Sequence, residues 1–306
     1  MNTTGSGIGL IVNERAGKLG TSSAVHELLA ALNRYGFRAE PILIGRGTDP
    51  ADAARGALRS GSKTLVVAGG DGTISAVAST LLYSGATLGV LPMGTLNHFA
   101  KDLRIPMDME HAARVLANGC VARVDVGEVN GRIFINNSSL GVYPQMVNQR
   151  KAFRHKGFAK WEAVLWAAFA AMKRMPFLKL RLTTADTHLA GLTPMIFVGN
   201  NEYSVEGFEA GTRCRMDAGQ LFIYALKAST RSELIRLALL ALFGCLRQDR
   251  DFDSLCVPEA WIETRRRWAR VSLDGEVVRL ETPLHYRARP AALRVIVPGK
   301  EVECEL

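Results

Sequence analysis

The chain has 306 residues, 48% hydrophobic and 22% charged, the composition of a globular protein with enough mass for two domains. Its five cysteines are scattered, with no C-x-x-C pair, so neither a zinc site nor a disulfide framework is expected and a reducing cytosol fits best. No run approaches the ~18 apolar residues of a membrane span, and the N-terminus lacks the basic and apolar regions of a signal peptide, so any membrane contact is expected to be peripheral. The net charge of +9 and pI near 9.5 point to an anionic partner: nucleotide, nucleic acid or acidic lipid surface.

In chain order, Gly7 to Val12 reads as a first strand, and Asn13 to Gly20 as a glycine-bearing loop. Ser22 or Ser23 can cap a helix to Tyr35, with Gly36 closing it. A second strand, Phe37 to Ile44, is followed by Thr48, Pro50 and a helix through Arg59. The β-branched run Leu65 to Ala68 then ends in Gly69-Gly70-Asp71-Gly72-Thr73, and an apolar-periodic helix follows from Ile74 to Leu82. Glycines let backbone approach a ligand closely, and a helix N-terminus offers unpaired N–H groups, so this stretch suits a phosphate. A carboxylate there would repel phosphate unless a cation intervenes, so Mg²⁺ is expected between them. An ordinary turn, where Gly and Asp are common, is the plain alternative.

A fourth strand, Thr87 to Leu91, opens through Pro92-Met93-Gly94-Thr95-Leu96-Asn97-His98 into another helix. Thr95 can cap it, and the Thr95 hydroxyl and Asn97 amide can serve a phosphate, a ribose or the water shell of the metal. His98 is expected to be structural. Strands alternating with helices at this spacing imply a parallel sheet with helices on both faces. Ligands of such sheets sit beyond the carboxyl ends of the strands. The Asn13 loop, Thr48 and the Asp71 turn all fall at those ends.

The architecture changes after about position 124. Val124 to Val129, Asn130-Gly131 and Arg132 to Asn137 form a hairpin signal, Asn-Gly being the strongest type I′ pair. Further strands are expected at Leu178–Thr183, Pro194–Gly199, Gln220–Leu226, Val271–Leu280 and Leu293–Val297, giving a mainly antiparallel second domain. Two helical segments interrupt it, Trp161 to Met172 and Ser232 to Leu246. Gln149 to Trp161 interleaves cations with aromatics, the pattern of an interfacial anchor on an anionic leaflet or of solvated flanks on a core helix. Nucleic acid is not expected as a partner, since no motif of that class accompanies the basic residues.

Gly69–Thr73 together with Leu91–Leu103 resembles the diacylglycerol kinase catalytic-domain family, which includes bacterial lipid kinases and is related to sphingosine and ceramide kinases. The Asn13 loop is similar to the family's first phosphate-loop motif, with Glu14 where a proline is usual. The resemblance extends to Asp125-Val126-Gly127, Asn130 to Asn137, Ser139-Leu140-Gly141 and Asp274-Gly275-Glu276. It implies a phosphofructokinase/NAD kinase-like α/β domain over residues 1–124 and a mainly antiparallel β-sandwich lipid-substrate domain over 125–306, the last residues returning to the first. It also implies an ATP-dependent lipid kinase, cytoplasmic and peripheral on the inner membrane face, with a lipid substrate, an anionic membrane surface and a homodimer left open.

For the site, the resemblance implies that Gly69, Gly70, Gly72, Thr73, Gly94, Thr95 and Asn97 hold the phosphates of ATP, with Asn13 and Thr48 facing the nucleotide. Asp71 and Asp274 would hold Mg²⁺, and Glu276 would be the general base, with Asp71 as its competitor. Asp274-Gly275 can equally be a plain hairpin turn. Family members often carry a second, structural metal on Leu-x-Asp-Gly-x-Leu. Here Ala218 follows Asp217 where Asp is usual, so that metal is not expected, although Asp217 could partly replace the missing ligand. The other readings are an NAD kinase, which shares the glycine motif and whose Asn-Glu pair Asn200-Asn201-Glu202 resembles, and a non-catalytic nucleotide- or membrane-binding protein.

Overall fold

The β-branched run that precedes the three glycines is buried along its length, because it lies inside a parallel sheet covered on both faces. The structure, a computed structural model, describes residues 7–17, 22–37, 40–45, 47–141, 177–203, 213, 215–228, 230–233, 236–237 and 248–299. They divide into two units, Met1–Val126 with Pro290–Leu306, and Gly127–Arg289.

The first unit alternates β1 (Ile8–Asn13), α1 (Ser22–Arg34), β2 (Pro41–Ile44), α2 (Pro50–Arg59), β3 (Thr64–Gly69), α3 (Asp71–Leu81) and β4 (Thr87–Pro92), then adds α4 (His98–Asp102) and α5 (Met109–Asn118). The strands pair in parallel in the order β2-β1-β3-β4. All of β4, and β3 after its first residue, are buried, as a parallel strand sandwiched between helices must be. Pro50 stands at the start of α2, whose cap is Asp49: its side chain accepts the Ala51 N–H at 2.9 Å. The carboxyl end of the chain supplies a further strand, since Arg294 and Val295 pair in parallel with Thr87 and Leu88.

Three local expectations change. The second strand is confined to Pro41–Ile44 rather than starting at Phe37. The turn after β3 is a single extended residue, Gly70, so Asp71, Gly72 and Thr73 already form the first turn of α3. Thr95 does not cap α4. The cap is Asn97, held in the left-handed region at φ 52° because its amide closes back on Gly94, accepting that N–H at 2.9 Å and donating to that carbonyl at 3.0 Å.

In the second unit, β5 (Cys120–Val129) enters a hairpin with β6 (Arg132–Phe134). Asn130 and Gly131 both have positive φ, 46° and 77°, as a type I′ turn requires. The expected strand to Asn137 breaks after Phe134, and β7 (Asn137–Gly141) starts a different sheet. Next come β8 (Leu178–Thr183), β9 (His188–Thr193), β10 (Met195–Asn200), β11 (Leu221–Leu226), β12 (Phe252–Val257), β13 (Glu259–Thr264), β14 (Trp268–Leu273), β15 (Glu276–Glu281) and β16 (Leu284–Val297). The order β12-β11-β10-β7-β14-β15 forms an antiparallel sheet, while β13 lies between β8 and the first part of β16. Their apolar faces share a core that includes Phe134, Leu140, Val198, Ile262 and Tyr286.

The expected strand over 271–280 is a hairpin, with Asp274 and Gly275 at φ 47° and 84° between β14 and β15. The strands β9, β12 and β13 had no counterpart among the expected elements. Residues 149–161 and 161–172, and most of 232–246, lie outside the described residues. Among the described residues no helix is long and apolar enough to cross a membrane.

Candidate functional site

In the first unit the loops at the carboxyl ends of neighbouring strands touch one another. The Glu14 N–H donates to the Ile44 carbonyl at 3.3 Å, joining the loop after β1 to the end of β2. Asn13 Nδ2 donates to Thr73 Oγ1 at 2.7 Å, joining β1 to the first turn of α3. The Met93 N–H donates to the Gly69 carbonyl at 3.0 Å, and the Phe99 N–H to Asp71 Oδ1 at 3.2 Å, joining β3 and α3 to the loop after β4. Asn13 and Asp71 therefore belong to one constellation. Thr48 is exposed and makes no hydrogen bond to any of these residues.

The glycines serve two different ends. A Cβ on Gly94 would stand 2.6 Å from the Gly70 Cα and 2.8 Å from Asn97 Oδ1, so these loops meet backbone to backbone because a side chain is absent. At Gly69 a Cβ would come within 2.8 Å of the Thr73 Cβ. Gly72 is the opposite case. A Cβ there would have nothing within 4 Å, so packing does not demand glycine. It leaves open space over the first turn of α3, which no side chain caps. The Thr73 N–H closes back on the Gly70 carbonyl at 2.9 Å, which leaves the Asp71 and Gly72 N–H groups without an intrahelical partner at the positive end of the helix dipole. This is a surface on which an anion can rest on main-chain donors.

Asp71, in that turn, is half-buried. One carboxylate oxygen takes the Phe99 N–H and the other makes no hydrogen bond to a described residue. A single carboxylate oxygen beside a surface that can take an anion suits Mg²⁺, which binds through one or two carboxylates and keeps water and phosphate oxygens as its other ligands. Thr95 is exposed at the rim, 3.9 Å from where a Cβ on Gly17 would lie. Asn97 is 5% exposed and its amide is engaged by Gly94.

The second unit places its acidic residues differently. Asp274 accepts the N–H groups of Ile135, Asn136 and Asn137 at 2.8, 2.8 and 3.0 Å. This is why the strand breaks after Phe134: the next three amides turn toward a carboxylate. Glu276, the first residue of β15, is exposed, paired in register with Leu273. On the other side of the same loop, Arg213 is buried and donates to the Ile135 carbonyl at 2.7 Å, to Asn136 Oδ1 at 3.1 Å and to the Asn200 carbonyl at 3.2 Å. Asn200, in the run that resembled an NAD kinase motif, also gives its Nδ2 to the Ile135 carbonyl at 3.0 Å. Sequence reasoning assigned no role to Arg213; its only signal was a cation in a polar connection between strands.

Two acids are buried: Asp125, expected only as a motif member, and Glu128, to which sequence reasoning gave no role. Asp125 accepts the Ala291 N–H at 2.8 Å, where the backbone has φ 51°. Glu128 is held by Arg287 at 2.6 Å and Arg289 at 2.8 Å. Burial raises the Glu128 carboxyl, but the hydrogen bonds and charges of Arg289 and Arg287 outweigh it and hold the group below its usual range. At the run where relatives often hold a second metal, the described residues offer Asp217 alone. Asp217 is exposed and paired with Arg215 at 3.1 Å, and no group of three or more His, Cys, Asp or Glu converges among the described residues.

A cavity of about 1210 Å³ in this unit has Phe177, Leu192 and Trp268 in its wall, with Arg265, Arg266 and Arg270 around it. Arg270 faces Arg279 directly across β14 and β15, and Arg279 lies over the Trp268 ring at 5.0 Å. Like charges directly opposite on a sheet are unfavourable, so this wall attracts anions.

Comparison with known proteins agrees with the motif-based expectation. Residues 7–129 match the model of the diacylglycerol kinase catalytic domain. A protein of Pseudomonas syringae pv. tomato named "Probable lipid kinase YegS-like" is 28% identical over 286 residues, covering 92% of each chain. A diacylglycerol kinase of Staphylococcus saprophyticus is 27% identical over 238 residues, covering 77% of each. The crystal structure of a diacylglycerol kinase from Bacillus anthracis superimposes with a TM-score of 0.69 at 21% identity, covering 98% of this chain and 99% of that one.

Proposed function

From the premise that residues 7–129 of this chain belong to the diacylglycerol kinase catalytic-domain family, we propose that it is an ATP-dependent lipid kinase that phosphorylates a lipid hydroxyl, such as that of diacylglycerol or a sphingoid base. The observation that carries this reading is the open, uncapped first turn of α3 at Gly72, with a free carboxylate oxygen of Asp71 beside it. The main-chain amides of Asp71 and Gly72 would hold phosphate oxygens, the Thr73 N–H being already given to the Gly70 carbonyl at 2.9 Å, with Thr95 at the rim. Gly94 and Asn97 act indirectly, by shaping the loop that presses on Gly70.

Asp71 would hold Mg²⁺; backbone amides already occupy the oxygens of Asp274, the other metal ligand that the resemblance offers. The metal ion supplies neutralisation of charge on the phosphoryl oxygens. In the reaction the lipid hydroxyl oxygen forms a bond to the γ-phosphorus, and the bond from that phosphorus to the β–γ bridging oxygen breaks, releasing ADP. The hydroxyl proton passes to a carboxylate. Glu276 is exposed and its carboxylate makes no hydrogen bond to a described residue, which favours it as base over Asp71. Catalysis on this scheme is positioning and electrostatics.

The arginine-lined cavity of the second unit supports contact with an anionic lipid surface, its apolar wall suiting chains and its cations suiting headgroups. The test is mass spectrometry of a total lipid extract incubated with the protein, ATP and Mg²⁺. One or more lipids gaining a phosphate is the expected result. Phosphorylation of NAD instead, or nucleotide binding without transfer to any lipid, would overturn the reading.

A further inference from the structure

The loop 135–137 is gripped from both sides. On its N–H side stands the Asp274 carboxylate, with three amide hydrogen bonds of 2.8 to 3.0 Å. The Asp274 N–H in turn donates to the Asn137 carbonyl at 2.9 Å, so turn and loop are doubly linked. On its carbonyl side stands the Arg213 guanidinium, on Ile135 O, Asn136 Oδ1 and Asn200 O, lying 5.7 Å from the centroid of the Tyr203 ring. Arg213 is only 6% exposed. Burying a guanidinium is expensive unless its planar fork meets fixed acceptors, and here it meets oxygens of two separate segments. Those oxygens, two carbonyls and a side-chain amide, are of the kind that a hard cation takes as ligands.

We propose that Arg213 is the built-in cation of the second unit: a positioning residue that fixes the loop 135–137, and through it the Asp274-Gly275-Glu276 tip, in a unit that lacks the acidic run on which relatives hold a structural metal. The donor set supports this exchange. Ala218 brings no oxygen, Asp217 is exposed and tied to Arg215, and no acidic cluster stands nearby among the described residues. A guanidinium needs no loading and is not lost to chelators, so the tip is held at any metal concentration. The catalytic half of the proposal rests on the reading of Glu276 as base; the structural half does not.

The experiment therefore reads the two halves separately. Hydrogen exchange and thermal unfolding are measured on the full chain without nucleotide or lipid, for the wild type, Arg213→Ala and Arg213→Lys. In the wild type, neither EDTA nor millimolar Mg²⁺ should shift the unfolding temperature or exchange at residues 135–137. In Arg213→Ala, exchange there should rise about 10- to 100-fold, the loss of charged hydrogen bonds, and added methylguanidinium should slow it again without affecting the wild type. Arg213→Lys should restore it only in part, because an ammonium cannot span the acceptors. With lipid and ATP, Arg213→Ala should lose kcat at unchanged KM for ATP, and methylguanidinium should return it. Unchanged exchange in Arg213→Ala, or wild-type protein destabilised by EDTA, would overturn the proposal. Should Arg213→Ala not fold, Arg213→Lys and the chelator response decide it alone. If no lipid is phosphorylated by any of the proteins, the kinase reading fails, while exchange still judges the cation.

Discussion

At Gly70 and Gly94 two loops of the first unit meet because neither carries a side chain, and beside them Gly72 leaves an uncapped helix start facing open space. At Asp274 and Arg213 the second unit does the reverse, saturating one loop with hydrogen bonds to a half-buried anion and from a buried cation. The first arrangement is built by omission and leaves donors for a ligand. The second is built by completion and leaves only Glu276 exposed at its edge. A site that must grip a charged ligand and a hairpin that must hold one side chain steady call for these opposite solutions: unsatisfied main-chain donors attract, while satisfied ones stiffen.

The comparison breaks first at Asp71. Asp71→Asn keeps an acceptor for the Phe99 N–H but removes the charge, so kcat for lipid phosphorylation should fall by roughly 10³-fold or more while the unfolding temperature stays near that of the wild type. Near-normal turnover in a coupled ADP-release assay would remove Asp71 from the site. Next is Gly94→Ala, whose methyl would meet Gly70 and Asn97 below contact distance. It should lose about 1–3 kcal/mol of stability, measured in urea, and weaken nucleotide binding together with it.

Gly72→Ala sharpens the contrast. The added methyl meets nothing, and alanine favours a helix by about 0.5–1 kcal/mol, so the fold should gain slightly. If phosphate rests over that turn, calorimetry should show ATP bound several-fold more weakly by this more stable protein. A stabilised variant with unaltered ATP affinity would place the phosphates elsewhere.

The smallest effect belongs to completion in the second unit. Glu128 is held below its ordinary carboxyl pKa, so its folded form contributes stability above the unfolded value of about 4.3, and loses it as pH falls through the lower folded value. Glu128→Gln should cost about 1–2 kcal/mol at neutral pH. The gap to the wild type should begin to close below about pH 4.5 in denaturant titrations across pH. A gap that persists to the acid limit would mean that Arg287 and Arg289 do not depend on its charge.

Local signals carried much of this molecule. A β-branched run ending in glycines reads as a buried strand entering a helix, because each step has a strong short-range cause, and β3 and α3 follow it. Asn130-Gly131 and Asp274-Gly275 read as hairpins because few other residue pairs accept two positive φ angles in succession. What stayed hidden depended on partners far along the chain. The strand from Arg132 broke early because Asp274, 139 residues beyond Ile135, draws off its amides. Asn97 displaced Thr95 as a cap because its amide found Gly94, a choice that propensity does not rank. Arg213 showed nothing in its neighbours that would bury it; only the meeting of 135, 136 and 200 around its guanidinium does so. Chain order thus settles which backbone shapes are permitted, since those depend on φ, ψ and adjacent residues. Which charges end up inside, and what they hold, is settled by acceptors brought together when distant strands pair.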